Sequence, residues 1–474
     1  MIKNIFYILI VAFSLSSCNN QLDDINQNPN ATETPQAAYL LTSSLKQGAD
    51  LYWGSESNFN SSLLFVQQWA KIQYAEPDRY DVSNTSFITL WNTGYSTLIT
   101  DLNTILGFTD QQANSNFKGI ALTLRSWTFL LLTDAYGDIP YKEAGLKVTP
   151  AYNTQKEVYL GLLEDLKQAQ ILLNTSNGAV TGDLVYKGDV AKWKKFVNSL
   201  RLRIALRISD REPALAKQVV IEATTDAGGL ISSNNDIFQF KYISSPQQNP
   251  ASAWFETRDD YRISKTLVDK LTGLSDPRLP VYAQLPSDVT IGKYVGGANG
   301  LSNSDANSQG FAKTSKPGTY FLTSQSPAVI FSYSEVLFAL SEAVARGYIQ
   351  GDAELDYNNA IIASLNQFGI SNATVITNYL NQPSVKFDAV NYAKSIGEQK
   401  WIAFFGQGLD AFAEWRRLDY PVLVAGPATA LDGKIPSRFF YPGTEQSLNG
   451  ISYKAAISSQ GKDLLTTKLW FDIK

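Results

Sequence analysis

Histidine is missing from all 474 residues, and cysteine and methionine occur once each. The first absence removes the commonest general base and zinc ligand, and with it every Ser-His or Cys-His nucleophile pair. A lone cysteine forms no internal disulfide and excludes metal sites built from two or four thiolates. Positive charge is not in excess either. Forty Lys and Arg against forty-four Asp and Glu give a net charge of −4, with no basic run to suggest nucleic acid as a partner. The chemistry left is that of carboxylates, Lys, Arg, amides, hydroxyls and rings. Rings are plentiful: aromatics make up 12%, with nine Trp and twenty-four Tyr.

The single cysteine, Cys18, follows Lys3 and the apolar run Ile5 to Leu15. That run fits the h-region of an export signal, about 7–15 residues, and falls short of the ~20 needed to span a bilayer. Leu-Ser-Ser-Cys (15–18) resembles the lipobox of bacterial lipoproteins, in which cleavage precedes the cysteine and the thiol carries diacylglycerol. The alternative is an ordinary secretory signal with an incidental cysteine. The expectation is a signal peptide at 1–17, lipidation of Cys18, and a polar tether at 18–36, rich in Asn and Pro. Asp23 and Asp24 resemble the acidic signal that sends some lipoproteins to the outer face of the outer membrane.

The remainder, 37–474, reads as one large, mainly α domain. Phe117, Ile120, Leu124, Trp127, Leu131 and Ala135 recur at helical steps, as do Val190, Trp193, Val197, Leu200, Ile204 and Ile208 after a candidate N-cap, Asp189. Further helical stretches include 155–173, 334–347, 353–369 and an unbroken 398–417, with Gly347 and Gly369 as stops. Strand-like runs are few, 237–243 being one, and 291–327 reads as loop.

Six blocks stand in order: "LLLTDAYGDIPYKEA", "KFVNSLRLRIALRISD", "RISKTLVDKLTGLSDPRLPVY", "SYSEVLFALSEAVARG", "EQKWIAFFGQGLDAFAEWRR" and "IPSRFFYPGTEQSLN". Together with "DINQNPN" they resemble the SusD/RagB family of outer-membrane lipoproteins, in its SusD-like branch. The resemblance implies a tetratricopeptide-like helix-pair scaffold with an irregular, loop-rich half. It also implies a lipid-anchored surface protein that caps a SusC-like TonB-dependent transporter barrel and captures oligosaccharides, or in some members peptides.

Enzyme signatures fare poorly. "GQGLDA" (406–411) fits a loose G-x-G-x-x-A string but has no preceding strand. "DANSQG" (305–310) begins like a calcium loop, yet Lys316 holds the twelfth position, where a bidentate Glu is required. No cofactor is expected, with a looser structural calcium site left open. Glu335 and Glu342 stand about 10.5 Å apart along one helix, wider than either glycosidase spacing, and are expected to pair with neighbouring helices. The same is expected of Arg203 and Arg207. A surface-anchored glycoside hydrolase, with carboxylates from distant loops, is the competing function.

For a binder, the informative rings lie in loops, where sugar C–H faces stack on Trp and Tyr while Arg and amides take hydroxyls. The candidates are Trp53, Tyr74, Arg79, Tyr80, Trp254, Arg258, Tyr294 and Asn299. The glycines around Tyr294 are expected to admit a ligand.

Overall fold

The computed structural model describes residues 35–109 and 114–473. Cys18, the 1–17 export sequence and the tether up to residue 34 lie outside the described residues.

Helix α1 spans Ala37–Trp53 and α2 Thr100–Gly107. Most of the long helices that follow start on a side chain that satisfies their orphan N–H groups. Helix α3, Ser115–Tyr136, is capped by Asn114 and stops at Gly137, whose φ of +90° no branched residue adopts comfortably. Helix α4, Gln155–Leu172, carries a reciprocal Thr154–Glu157 capping box. Asp189 accepts from Ala191 and Lys192 to open α5, Val190–Arg207, as its sequence position suggests. Pro213 opens α6, Pro213–Thr225, and Ser264 caps α7, Lys265–Gly273. Ser332 and Asp352 cap α8, Tyr333–Ala345, and α9, Ala353–Gln367. Helices α3/α4, α5/α6 and α8/α9 pack as successive pairs, and α4 against α5 and α5 against α8 join them into a mainly α scaffold. One cluster of buried apolar side chains runs from Ala37 to Phe471.

The expected unbroken helix at 398–417 is two helices, α10 (Tyr392–Ala403) and α11 (Gly408–Leu418). Gly406 turns the chain at φ +88°, and a Cβ there would lie 2.8 Å from the Trp53 ring. Gly408 is held against Asn58, which accepts its N–H at 2.9 Å. Close packing, which periodicity does not report, sets this break.

Strands are short. β1 (Trp69–Lys71) pairs antiparallel with β5 (Tyr261–Ile263), β2 (Ile139–Pro140) with β3 (Tyr152–Asn153), and β4 (Phe238–Phe240) with β6 (Ala328–Phe331). Two stretches, Ser55–Ser62 and Thr93–Ile99, coil in wide π-helical turns. Hydroxyls follow the same five-residue step: Ser62 donates to Ser57 O at 2.8 Å and Thr100 to Tyr95 O at 3.0 Å.

The scaffold encloses charge. Arg203 grips Glu335 through two bonds of 2.6 and 2.7 Å and reaches Asp410 at 2.9 Å, where Tyr52 also donates. Arg207 meets Asp134 at 3.1 Å and Glu414 at 2.9 Å. Glu414 also holds Lys400 and Arg417, and Arg417 binds both oxygens of Glu342 at 2.6 Å. Helices α1, α3, α5, α8, α10 and α11 are thereby tied through two buried charge networks. Burial alone would raise the Glu342 carboxyl, but Arg417 and Arg346 hold it down at about 2. The glutamates 335 and 342 are structural partners of arginines. Asp276 accepts the Arg278 N–H at 2.9 Å, closing a turn, and also grips the Arg278 side chain.

Candidate functional site

The β1–β5 ribbon presents two loops side by side. Beyond Lys71, Ile72 donates to Asp260 O at 3.0 Å, so Gln73 and Tyr74 leave one strand opposite the residues that enter the other. Tyr74 sits in the left-handed region at φ +52° with 56% of its surface exposed. Such a conformation costs a non-glycine residue about 1 kcal/mol or more and persists only where neighbours enforce it. Here Ala75 N donates to Asn303 Oδ1 at 2.7 Å, fixing the chain just after the ring.

Trp254 comes from the short helix Pro250–Phe255, which Asn249 caps. Its half-buried ring lies edge-on to Phe59 (5.6 Å between centroids) and Tyr261 (6.0 Å), and its Nε1 donates to Asp260 at 3.1 Å. The other oxygen of Asp260 meets Lys71 Nζ at 2.9 Å. The exposed Arg258 guanidinium stands over both rings, 5.8 Å from the Tyr74 centroid and 5.2 Å from that of Trp254. Gln73, Tyr74, Arg258, Asp259, Asp260 and Phe311 line a cavity of ≈ 500 Å³. Rings, an amide, a guanidinium and carboxylates around a cleft of this size are the groups a polyhydroxylated, partly apolar ligand needs.

Behind the cavity lies a second polar layer. Asp78 accepts from Asn299 Nδ2 at 2.7 Å and from the N–H groups of Lys71 and Gly300, both at 3.2 Å. Burial pushes its carboxyl up to about 7 against those three bonds. Asn60, on the 55–62 π-helical stretch, accepts from Tyr261 at 2.7 Å. These groups fix the ribbon.

Of the eight candidates, Tyr74 and Arg258 line the cavity, and Trp254 stands beside it beneath the Arg258 guanidinium. Trp53 does not lie in a loop: it ends α1 with 3% of its surface exposed, donating to Val329 O and packing on Phe321. Tyr80 is 1% exposed against Phe65. Asn299, 9% exposed, is engaged by Asp78, Trp69 O and Ser264. These three are occupied by the protein interior and are not available as ligand contacts. Arg79 pairs with Asp81 at 2.7 Å, and half-buried Tyr294 packs against the core. The glycines after Tyr294 admit the main chain, not a ligand: a Cβ on Gly296 would fall 2.4 Å from Lys265 Cα, and Lys265 N donates to Gly297 O at 2.7 Å. Phe311 is the lining ring that sequence reasoning missed. Its signal was an aromatic inside the Gly-, Ser- and Asn-rich 291–327 segment.

A larger cavity, ≈ 820 Å³, opens between α4, α5 and α6, but no ring lines it. Two of its three lining cations are engaged, Lys194 by Gln170 O and Leu173 O and Arg201 by Glu222. Among the described residues, no group of three or more Asp, Glu, Cys or His is placed to hold a metal ion, and no helix is long and apolar enough to cross a membrane.

Comparison with known proteins agrees with this architecture. A SusD-like family model, described as starch-binding and associating with the outer membrane, matches residues 29–442. A solved chitin-binding protein aligns at TM-score 0.84 and 28% identity, covering 92% of this chain and 100% of that one. A SusD homologue from Bacteroides uniformis aligns at 0.83 and 26%, covering 92% and 100%. A chitin-binding SusD homologue from Flavobacterium johnsoniae shares the fold at 0.82 and 23%, covering 92% and 98%. No curated protein matches the chain in sequence. With helix pairs, ribbon-borne loops and a match over nearly the whole length, the chain belongs to the SusD-like family of outer-membrane-associated proteins.

Proposed function

We propose that this protein is a non-catalytic, cell-surface glycan receptor, with residues 37–474 acting as one binding unit. The observation that carries the reading is the convergence of Tyr74, Phe311 and Arg258 at one solvent-open cavity, with Trp254 beside it under the same guanidinium. It is supported by the starch-binding description of the family and by the chitin-binding neighbour at 28% identity. Cys18 carries the lipid that holds the receptor on the outer membrane facing outward, and two or more acyl chains give firm anchoring at about 0.8 kcal/mol per buried CH₂. Bound oligosaccharide passes to a SusC-like TonB-dependent barrel. The non-catalytic assignment is supported by the pairing of Glu335 and Glu342 with Arg203 and Arg417, which leaves neither carboxylate free to act on a sugar.

The mature chain carrying Cys18→Ala, run through gels containing individual polysaccharides, tests the reading. Retardation by at least one glycan with no new reducing ends is expected. Release of product would establish a hydrolase, and retention of peptides alone would move the ligand class. In cells, labelled palmitate should enter the parent protein and not the Cys18→Ala variant.

A further inference from the structure

The charges that line the ribbon cavity are unequally matched. Asp259 is matched twice, by Arg262 at 2.9 Å and by Lys316 at 2.9 Å. Asp260 is matched by Lys71 at 2.9 Å, and its remaining oxygen accepts from Trp254. Three cations thus offset two carboxylates before Arg258 is counted. Among the described residues no acceptor pairs with the Arg258 side chain, which stands over the faces of Tyr74 and Trp254, 5.8 and 5.2 Å from its Cζ. Both lining carboxylates are thus matched, and the Arg258 guanidinium is the lining charge left without a counter-ion. Asp78, behind the ribbon, is pushed up by burial to about 7 and so is only partly ionised at neutrality.

We infer that the sugar taken here is acidic, a hexuronate whose carboxylate is met by Arg258 while its ring stacks on Tyr74 or Trp254. The inference rests on the glycan-receptor reading above and names the ligand class of the same site. A guanidinium suits this task because its in-plane N–H fork matches the two oxygens of a carboxylate. Neutral hydroxyls do not require an unpaired cation, and exposed Arg258 contributes no ion pair to the fold that would otherwise account for it. The neighbouring carboxylates do not compete, because other cations already hold them.

Detergent-purified full-length protein, titrated calorimetrically with trigalacturonate and with chitotriose at 50 and 500 mM NaCl, tests the inference. The expected result is at least tenfold tighter binding of the uronate at low salt, a preference that shrinks at high salt as exposed charges are screened. Arg258→Gln should bring the ratio of the two affinities close to one, and Arg258→Lys should restore it only in part. Equal or tighter binding of chitotriose by the parent overturns the acidic class and leaves the receptor reading standing. Uronate preference that survives in Arg258→Gln overturns the role of this residue. A sulfated trisaccharide bound more tightly than the uronate overturns the carboxylate assignment. If no glycan binds, the inference falls together with the reading it rests on. Unchanged circular dichroism melting of the variants separates binding from folding.

Discussion

The helical scaffold and the ribbon that carries the cavity both contain buried charge, yet Glu342 and Glu414 in the first and Asp78 in the second are held in opposite ways. In the scaffold each carboxylate meets arginine or lysine directly: Glu342 has Arg417 and Arg346, and Glu414 has Arg207, Lys400 and Arg417. In the ribbon, Asp78 has only N–H donors, and burial wins. The lesson is that the number of cations meeting an interior acid decides the outcome: Glu342 and Glu414, with two and three, are held down, whereas Glu335 and Asp134, each with one arginine, are still raised by burial. A buried pair is also fragile in one respect. Its desolvation is repaid only while both members remain.

Breaking the scaffold should give the largest effects. Glu342→Ala leaves Arg417 without one of its two partners and should cost about 3–5 kcal/mol in urea unfolding. A loss below about 1 kcal/mol would show that the network is not a determinant of stability. Trp53→Ala should cost a similar 3–5 kcal/mol through the cavity it leaves. If Trp53→Ala instead weakens glycan binding at unchanged stability, the interior placement of that ring is wrong.

On the ribbon side the expected effects are smaller and fall on binding. Tyr74→Gly removes a stacking ring and relieves the left-handed backbone at once. Affinity for glycan should fall about tenfold, or ~1.4 kcal/mol, while stability holds or rises by up to about 1 kcal/mol. A clear loss of stability would place Tyr74 in the fold rather than at the ligand.

Acid response sharpens the comparison further. Glu342 is held below its ordinary 4.5 at about 2, so its contribution is present above 4.5 and disappears as pH falls through about 2. Asp78 is raised from 3.8 to about 7, so the folded state binds the extra proton between those values. Its contribution to stability therefore declines as pH rises from about 4 toward 7 and levels off above. Melting temperatures of the parent and Asp78→Asn, compared from pH 5 to 8, should show a slope in the parent that the variant lacks. Parallel curves would contradict the raised carboxyl.

Much of the scaffold was legible because helices announce themselves locally. The stripe ending at Ala135, the Asp189 cap and the Gly347 stop need only residues within a few turns of one another, and the pairing of Arg203 and Glu335 follows from charges that cannot stay buried alone. The break at Gly406 was not legible, since it depends on Trp53 and Asn58, some 350 residues earlier in the chain. The site was half legible. Loop aromatics pointed to Tyr74 and Trp254, but the same rule chose Trp53 and Tyr80, which the tertiary structure buries. Phe311 escaped because nothing nearby in sequence marks it as sharing a cavity with Tyr74.

Sequence by itself determined the element types, the exclusion of thiol and imidazole chemistry, and the family pattern, all of which rest on composition and short-range periodicity. Only the tertiary structure decided which rings face solvent, which acids stay charged, and that Arg258 stands unpaired beside a ring from a loop far back in the chain. Exposure and electrostatic pairing are set by whatever the folded chain places within a few ångströms, and linear order does not encode that distance.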